Sequence, residues 1–109
     1  MEYVKALDKN ELPFGQMKIV TLQGKAILLV NDNGTFYAID NRCPHRGGSL
    51  GDGELLGTMI TCPRHGSKYE VVTGKNVGMA KIGILKIPVK DVQTYPVKIE
   101  GNDVLVGLE

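Results

Sequence analysis

The chain has 109 residues, with thirteen Lys and Arg against twelve Asp and Glu, so its formal net charge is +1. This length fits one domain with its own core, and the weak charge argues against general nucleic-acid binding, which favours a strongly basic face. The sequence has no apolar run of membrane-spanning length and no signal-peptide hydrophobic stretch at its start. We therefore expect a single cytoplasmic domain, monomeric and without a membrane anchor.

Short β-rich runs separated by turn residues dominate the chain on both sides of its centre. Two hairpins are predicted, one around the turn at 31–34 and one around the turn at 101–103. The predicted strands are 17–20, 26–30, 35–39, 59–61, 68–72, 96–100 and 104–106. The one helical candidate is a single turn within 6–12. The pattern predicts an all-β fold, a small antiparallel sandwich or barrel with a loop-rich region inserted between strands.

The only two cysteines and two histidines of the chain lie within 23 residues of each other, in the segment from 43 to 65. They form Cys43-Pro44-His45 and, after sixteen residues, Cys62-Pro63-Arg64-His65. A structural zinc finger usually pairs Cys with Cys and His with His, whereas each half here offers one thiolate and one imidazole. This mixture suits a two-metal site that both loops reach. A mononuclear zinc site built from the same four side chains, or a metal-free relic, remains an alternative.

The motif and its surroundings resemble the Rieske family, whose pattern is C-x-H followed by C-x-x-H after a similar spacer. The resemblance extends to the glycines and prolines of 43–48, 51–53 and 62–66, and to the closing run 95–99. It implies one Rieske domain over 1–109, with a cluster-binding subdomain of about 42–75 inserted in a basal β domain. It also implies one 2Fe–2S cluster with two Cys and two His ligands. The implied ligands are Cys43, His45, Cys62 and His65.

Several residues beside the ligands are candidates for a supporting role. By the resemblance, Ser67 and Tyr69 match hydroxyls that donate hydrogen bonds to sulfur in high-potential members of the family. The plainer alternative is that Ser67 shapes a turn and Tyr69 packs on a strand. The other candidates flank the ligands in the two loops: Gly47, Gly66, Arg46 and Arg64.

The sequence also departs from the family in two places. Members of cytochrome bc complexes carry a bracing disulfide between positions that are Gly48 and Arg64 here. The Pro-rich loop that usually covers the cluster has its counterpart at 76–80, which contains no proline, and Met79 there is a candidate shield. The following segment, 81–90, is longer than expected, and an extra strand, a partner-docking flap and a packed loop all remain open.

The resemblance implies a soluble ferredoxin that carries one electron from a reductase to an acceptor enzyme and has no catalytic residues of its own. Three alternatives stay open at this stage. The chain could be the ferredoxin or small subunit of an oxygenase or nitrite reductase, a redox or pH sensor, or a zinc-dependent interaction module.

Overall fold

The computed structural model describes residues 1–44, 47–64, 66–77, 80–82, 85–87 and 90–108, of which 80–82 and 85–87 are described by their backbone alone. Within these ranges all strands pair antiparallel, and no helix is long and apolar enough to cross a membrane. Short 3-10 turns occupy Lys9–Glu11 and Leu50–Asp52. The strands are β1 (Glu2–Asp8), β2 (Met17–Leu22), β3 (Lys25–Asp32), β4 (Thr35–Asp40), β5 (Glu54–Leu56), β6 (Met59–Thr61), β7 (Lys68–Glu70), β8 (Ala80–Ile82), β9 (Leu85–Ile87), β10 (Thr94–Tyr95), β11 (Val97–Glu100) and β12 (Asp103–Leu108).

Strand β3 lies between two hydrophobic cores. Its run of four apolar residues is almost completely buried, with exposures between 0% and 1%. Because side chains alternate between the faces of a strand, Ile27 and Leu29 enter one core while Leu28 and Val30 enter the other. A strand with two buried faces has a continuous apolar sequence, which is why 26–30 shows no polar alternation.

Sheet I, with strand order β10-β4-β3-β2, and sheet II, with order β1-β12-β11, enclose the first core. Both sheets contribute apolar side chains to it, and no α-helix is needed to cover either inner face. Its buried members are Leu7, Leu12, Leu22, Ile27, Leu29, Phe36, Ala38, Val104, Val106 and Leu108.

Sheet III, with order β5-β6-β7, builds the second core against the opposite face of sheet I. Both cysteines belong to this core, so the predicted metal loops rest on a packed apolar base rather than on solvent-exposed chain. Its buried members are Leu28, Val30, Ile39, Cys43, Leu50, Ile60, Cys62, Tyr69, Val71 and Val92.

The predicted all-β antiparallel architecture is confirmed, with corrections at particular elements. The helical turn predicted within 6–12 is wrong for its first half, because β1 continues to Asp8 through pairing with β12 and only Lys9–Glu11 turns. The sequence reading missed β1, β5 and β10. In the 81–90 segment, the backbone shows β8 pairing with β9 as a hairpin. A backbone hydrogen bond joins the chain before β8 to the chain after β9: the N–H of Val92 donates to the carbonyl of Gly74 at 2.8 Å.

The partly buried Tyr95 on β10 should make the stability of the fold depend on pH in the alkaline range. Tyr95 Oη donates to Asp40 Oδ1 at 2.6 Å, and burial followed by this hydrogen bond raises the pKa of Tyr95. The folded state therefore holds this proton more tightly, and its stabilising contribution is complete below the ordinary tyrosine pKa of about 10 and declines above it. In urea unfolding, Tyr95→Phe should lose less stability than the parent between about pH 9 and pH 11. Identical losses in the two proteins would contradict this.

Candidate metal centre

The two cysteine loops are built to the same backbone plan. Loop 1 (43–48) lies between the bridge partners Arg42 and Ser49, and loop 2 (62–67) lies between the paired residues Thr61 and Lys68. In each loop the cysteine N–H donates to the carbonyl five residues later, at 2.7 Å in both cases. The residue four positions after each cysteine donates back to the cysteine carbonyl, at 2.8 Å in loop 1 and 3.1 Å in loop 2. Each cysteine is therefore fixed at the base of a closed six-residue loop.

The residue that closes each loop is a glycine because the backbone there is left-handed. Gly47 has φ of 72° and Gly66 has φ of 75°. Residues with a side chain rarely adopt this conformation, whereas glycine adopts it without steric cost. Both glycines were predicted to support the site, and in the structure each one closes a cysteine loop.

The two loops touch each other at Gly48. A methyl group placed on Gly48 would lie 3.1 Å from Cγ of Arg64 and 3.2 Å from Sγ of Cys62. These are the positions at which bc-type proteins carry the bracing disulfide, and here an arginine stem packs against a glycine instead. Cys43 and Cys62 are only 1% and 2% exposed, and neither of these two described cysteines is in a disulfide.

Asn41 braces loop 1 from behind and was missed in the sequence reading. Its side chain donates from Nδ2 to Ser49 Oγ at 2.8 Å and accepts at Oδ1 from the N–H of Gly51 at 2.7 Å. Its own N–H donates to the carbonyl of Ala26 on β3 at 3.0 Å. A buried asparagine is retained where its polar groups are satisfied, so Asn41 ties sheet I to both ends of loop 1. The sequence signal was a polar residue directly after an apolar strand and two places before a cysteine.

Two buried residues with hydroxyl groups, one at the end of loop 2 and one on β7, are the predicted donors to sulfur. Tyr69 is fully buried, and its Oη lies 3.4 Å from Sγ of Cys43, within hydrogen-bonding range for sulfur. Burial, followed by this hydrogen bond, raises the pKa of Tyr69, so at neutral pH the phenol keeps its proton and can donate it to a thiolate.

Ser67 Oγ is buried and has no hydrogen-bond partner among the described residues. Such groups are rare in native proteins, so we expect an acceptor for this hydroxyl. A sulfur-rich metal group held by Cys43 and Cys62 would supply that acceptor, so the site fits such a group. Tyr69 thus contacts the sulfur of Cys43, and the role of Ser67 as a donor to sulfur stays a prediction.

Of the remaining predicted site residues, Arg64 alone is among the described residues. Arg64 lies across the loop contact described above. The histidines of the motif, together with Arg46 and the candidate shield Met79, lie outside the described residues. Within the described chain, no group of three or more Cys, His, Asp and Glu side chains is placed to hold a metal ion. The described part of the site is therefore its cysteine half.

Residues 2–105 match the family model described as the Rieske [2Fe-2S] domain. The chain belongs to this family. It is 37% identical over 108 residues to the ferredoxin component of a naphthalene 1,2-dioxygenase system from Pseudomonas aeruginosa, covering 98% of this chain and 96% of that protein. The ferredoxin component of naphthalene 1,2-dioxygenase and salicylate 5-hydroxylase systems from a Ralstonia species shows the same identity and coverage. The ferredoxin of carbazole 1,9a-dioxygenase from Nocardioides aromaticivorans superposes with a TM-score of 0.85 at 26% identity, and both chains are covered completely.

These comparisons confirm the predicted family, fold, cofactor and electron-carrier function. This Rieske protein has a 2Fe–2S cluster with Cys and His ligands, and it is a ferredoxin rather than a catalytic component, as its relatives are. Mixed Cys and His ligation places Rieske centres at higher potential than clusters held by four cysteines.

The hydroxyls of Tyr69 and Ser67 should raise the reduction potential of the Rieske protein. A hydrogen bond to sulfur stabilises the added electron, so losing a bond worth about 1 kcal/mol should lower the potential by about 40 mV. We expect this decrease for both Tyr69→Phe and Ser67→Ala in protein-film voltammetry. Tyr37→Phe, a matched change on β4, should leave the potential within error, and an unchanged potential in both test variants would reject the tuning role.

Proposed function

We propose that Cys43, His45, Cys62 and His65 are the four cluster ligands of this ferredoxin. The observation that carries the assignment is the shared plan of loops 1 and 2, which fixes one buried cysteine at the base of each. In the sequence, the histidines follow these cysteines by two and three residues. The buried hydroxyl of Ser67 and the Tyr69–Cys43 contact support a sulfur-rich group at this position.

We propose further that the protein takes one electron from a reductase and delivers it to a terminal oxygenase. Support comes from the relatives, whose names place them as ferredoxin components of dioxygenase systems. When bound, the cluster accepts and releases one electron. The chain's own residues hold it, exclude water from its cysteine side through the second core, and donate hydrogen bonds to sulfur.

The proposal also covers the domain organisation, the cellular compartment and the oligomeric state of the protein. Residues 42–75 form a cluster-binding subdomain inserted in a basal β domain, which the separate second core and sheet III support. The protein is cytoplasmic, because thiols that serve as metal ligands persist in a reducing compartment. It is a monomer, which sedimentation analysis of the purified protein would test.

The test begins with anaerobically purified protein. We expect about two iron and two sulfide per chain, visible absorption, and a reduced-state EPR signal whose average g value lies below that of the free electron. Added to the reductase and terminal oxygenase of a naphthalene 1,2-dioxygenase system, the protein should restore product formation to a mixture without its ferredoxin. One zinc per chain in a colourless protein would overturn the cluster assignment, and intact cluster without restored turnover would overturn the proposed acceptor.

A further inference from the structure

Positive charge is concentrated in the two ligand loops and the residues next to them. Segments 42–48 and 62–68 contain four cationic side chains and no Asp or Glu. The remaining 95 residues contain nine basic and twelve acidic side chains, so they carry a net negative charge. The formal net charge of +1 is therefore the sum of a positive charge in these two segments and a smaller negative charge in the rest of the chain. The four cations are Arg42, Arg46, Arg64 and Lys68.

Two of these side chains lie on the backbone of loop 1. A methyl group on Gly47 would be 3.2 Å from Nε and 3.4 Å from Nη2 of Arg42, so the guanidinium itself lies against this glycine. The stem of Arg64 reaches from loop 2 and packs on the neighbouring Gly48. Both glycines lack a side chain that would push an arginine away. The end of loop 1 at Gly47 and Gly48 is thus in contact with two arginine side chains.

Three of the four cationic residues are among the described residues, and all three are accessible. Arg42, Arg64 and Lys68 are exposed, as are Pro44 and Pro63 in the loops. The ion pairs found in the described part of the chain involve Lys5, Lys18 and Lys98, and neither Arg42 nor Lys68. The backbone of Glu54 pairs in sheet III with that of Thr61, the residue before loop 2. An acidic residue therefore lies beside the base of this loop.

We propose that this cationic face, defined by Arg42, Arg64 and Lys68 together with the exposed Pro44 and Pro63, docks the acidic surface of a redox partner protein. The inference rests on the proposed function and adds the chemistry by which a partner is recognised. Clustered charge of one sign steers an oppositely charged surface toward the site and raises the rate of encounter, and salt screens this effect. The same face repels partners whose docking surface is basic.

Two one-electron oxidants of opposite charge test the sign of the face. Dithionite-reduced protein is mixed in stopped flow with ferricyanide, an anion, or with tris(phenanthroline)cobalt(III), a cation. Each oxidant takes one electron and becomes ferrocyanide or the cobalt(II) complex. The ferricyanide rate constant should fall as ionic strength rises, and the cobalt rate constant should rise. In Arg42→Glu/Lys68→Glu, the ratio of the ferricyanide to the cobalt rate constant should fall about tenfold or more at low salt.

The control is Lys9→Glu, which reverses an exposed charge on the 3-10 turn after β1 and should change the ratio less than twofold. The reduction potential of each variant is measured so that a change in driving force is not mistaken for a change in local charge. A ratio and salt dependence that do not differ between the double variant and Lys9→Glu would overturn the proposal. Reduced protein that transfers no electron to either oxidant would instead overturn the proposed function.

A second measurement needs no electron transfer. Amide NMR spectra of the oxidised protein are titrated with poly-L-glutamate, a polypeptide of carboxylates, and with poly-L-lysine. We expect poly-L-glutamate to bind, and to bind about tenfold more weakly to Arg42→Glu/Lys68→Glu than to Lys9→Glu. Binding of poly-L-lysine in preference to poly-L-glutamate, or equal loss of binding in both variants, would overturn the proposal.

Discussion

Cys62→Ser and Cys43→Ser are each expected to abolish the cluster, the largest effect of any single change in this protein. Each cysteine is the only thiol in its loop and is almost completely buried at the loop base, so no other sulfur can replace it. Serine fits the same space but is a poor ligand for iron in a sulfide cluster. We expect iron content below about a tenth of the parent value and no visible absorption after anaerobic purification.

Pro63→Ala is the matched control for the cysteine changes. Pro63 is adjacent to Cys62 and exposed, so the variant should retain iron and its EPR signal. Far-UV circular dichroism should still report β-structure in the cysteine variants, because sheets I and II and their core do not include either cysteine. Full iron content and an unaltered EPR spectrum in either serine variant would remove that cysteine from the ligand set.

Gly53→Ala should give the second largest effect, through the backbone rather than through a ligand. A methyl group at this position would overlap the carbonyl oxygen of Thr61, the residue immediately before Cys62. Relief requires movement of backbone, because neither partner is the end of a flexible side chain. We expect a loss of about 3 kcal/mol in the free energy of unfolding, measured in urea, together with reduced iron incorporation as Thr61 carries Cys62 out of position.

Gly57→Ala is the control that distinguishes the overlap with Thr61 from the general effect of replacing a glycine. Gly57 lies in the turn of the same β5–β6 hairpin, with φ of 64° and no atom within 4 Å of the place a methyl group would occupy. Its replacement should cost only about 1 kcal/mol, the strain of a left-handed residue, and leave the iron content unchanged. Equal losses in the free energy of unfolding for Gly53→Ala and Gly57→Ala would show that the overlap with Thr61 adds nothing to the destabilisation.

The sequence predicted the strands whose apolar runs are long or whose turns contain glycine. Strands β3 and β4 were found within two residues of their true ends because the turn residues Asn33 and Gly34 mark the hairpin. Strand β1 was missed because its sequence mixes charged and small residues, and its pairing partner β12 lies at the other end of the chain. Such long-range pairing leaves no local signal. Strand β10 is only two residues long and is held by pairing with β4.

In the candidate site, too, the sequence predicted features that depend on neighbouring residues and missed those that depend on contacts made in the fold. Two cysteines and two histidines at characteristic spacing indicated the family, since this motif is a property of local sequence. The brace formed by Asn41 depends on contacts with Ala26, Ser49 and Gly51, which only the fold brings together. The need for glycine at 53 likewise arises from a carbonyl eight residues away. No sequence motif encodes these contacts.

The closed loops also bear on how fast the protein can exchange an electron. A transfer is slowed when the ligands must move between the oxidised and reduced states, because that motion adds reorganisation energy to the barrier. Here the backbone of each cysteine is held by two hydrogen bonds within its own loop, and the side chains lie in a packed core. Groups fixed in place before the reaction need not be rearranged during it. The loop design thus favours fast exchange at low driving force, the property an electron shuttle requires.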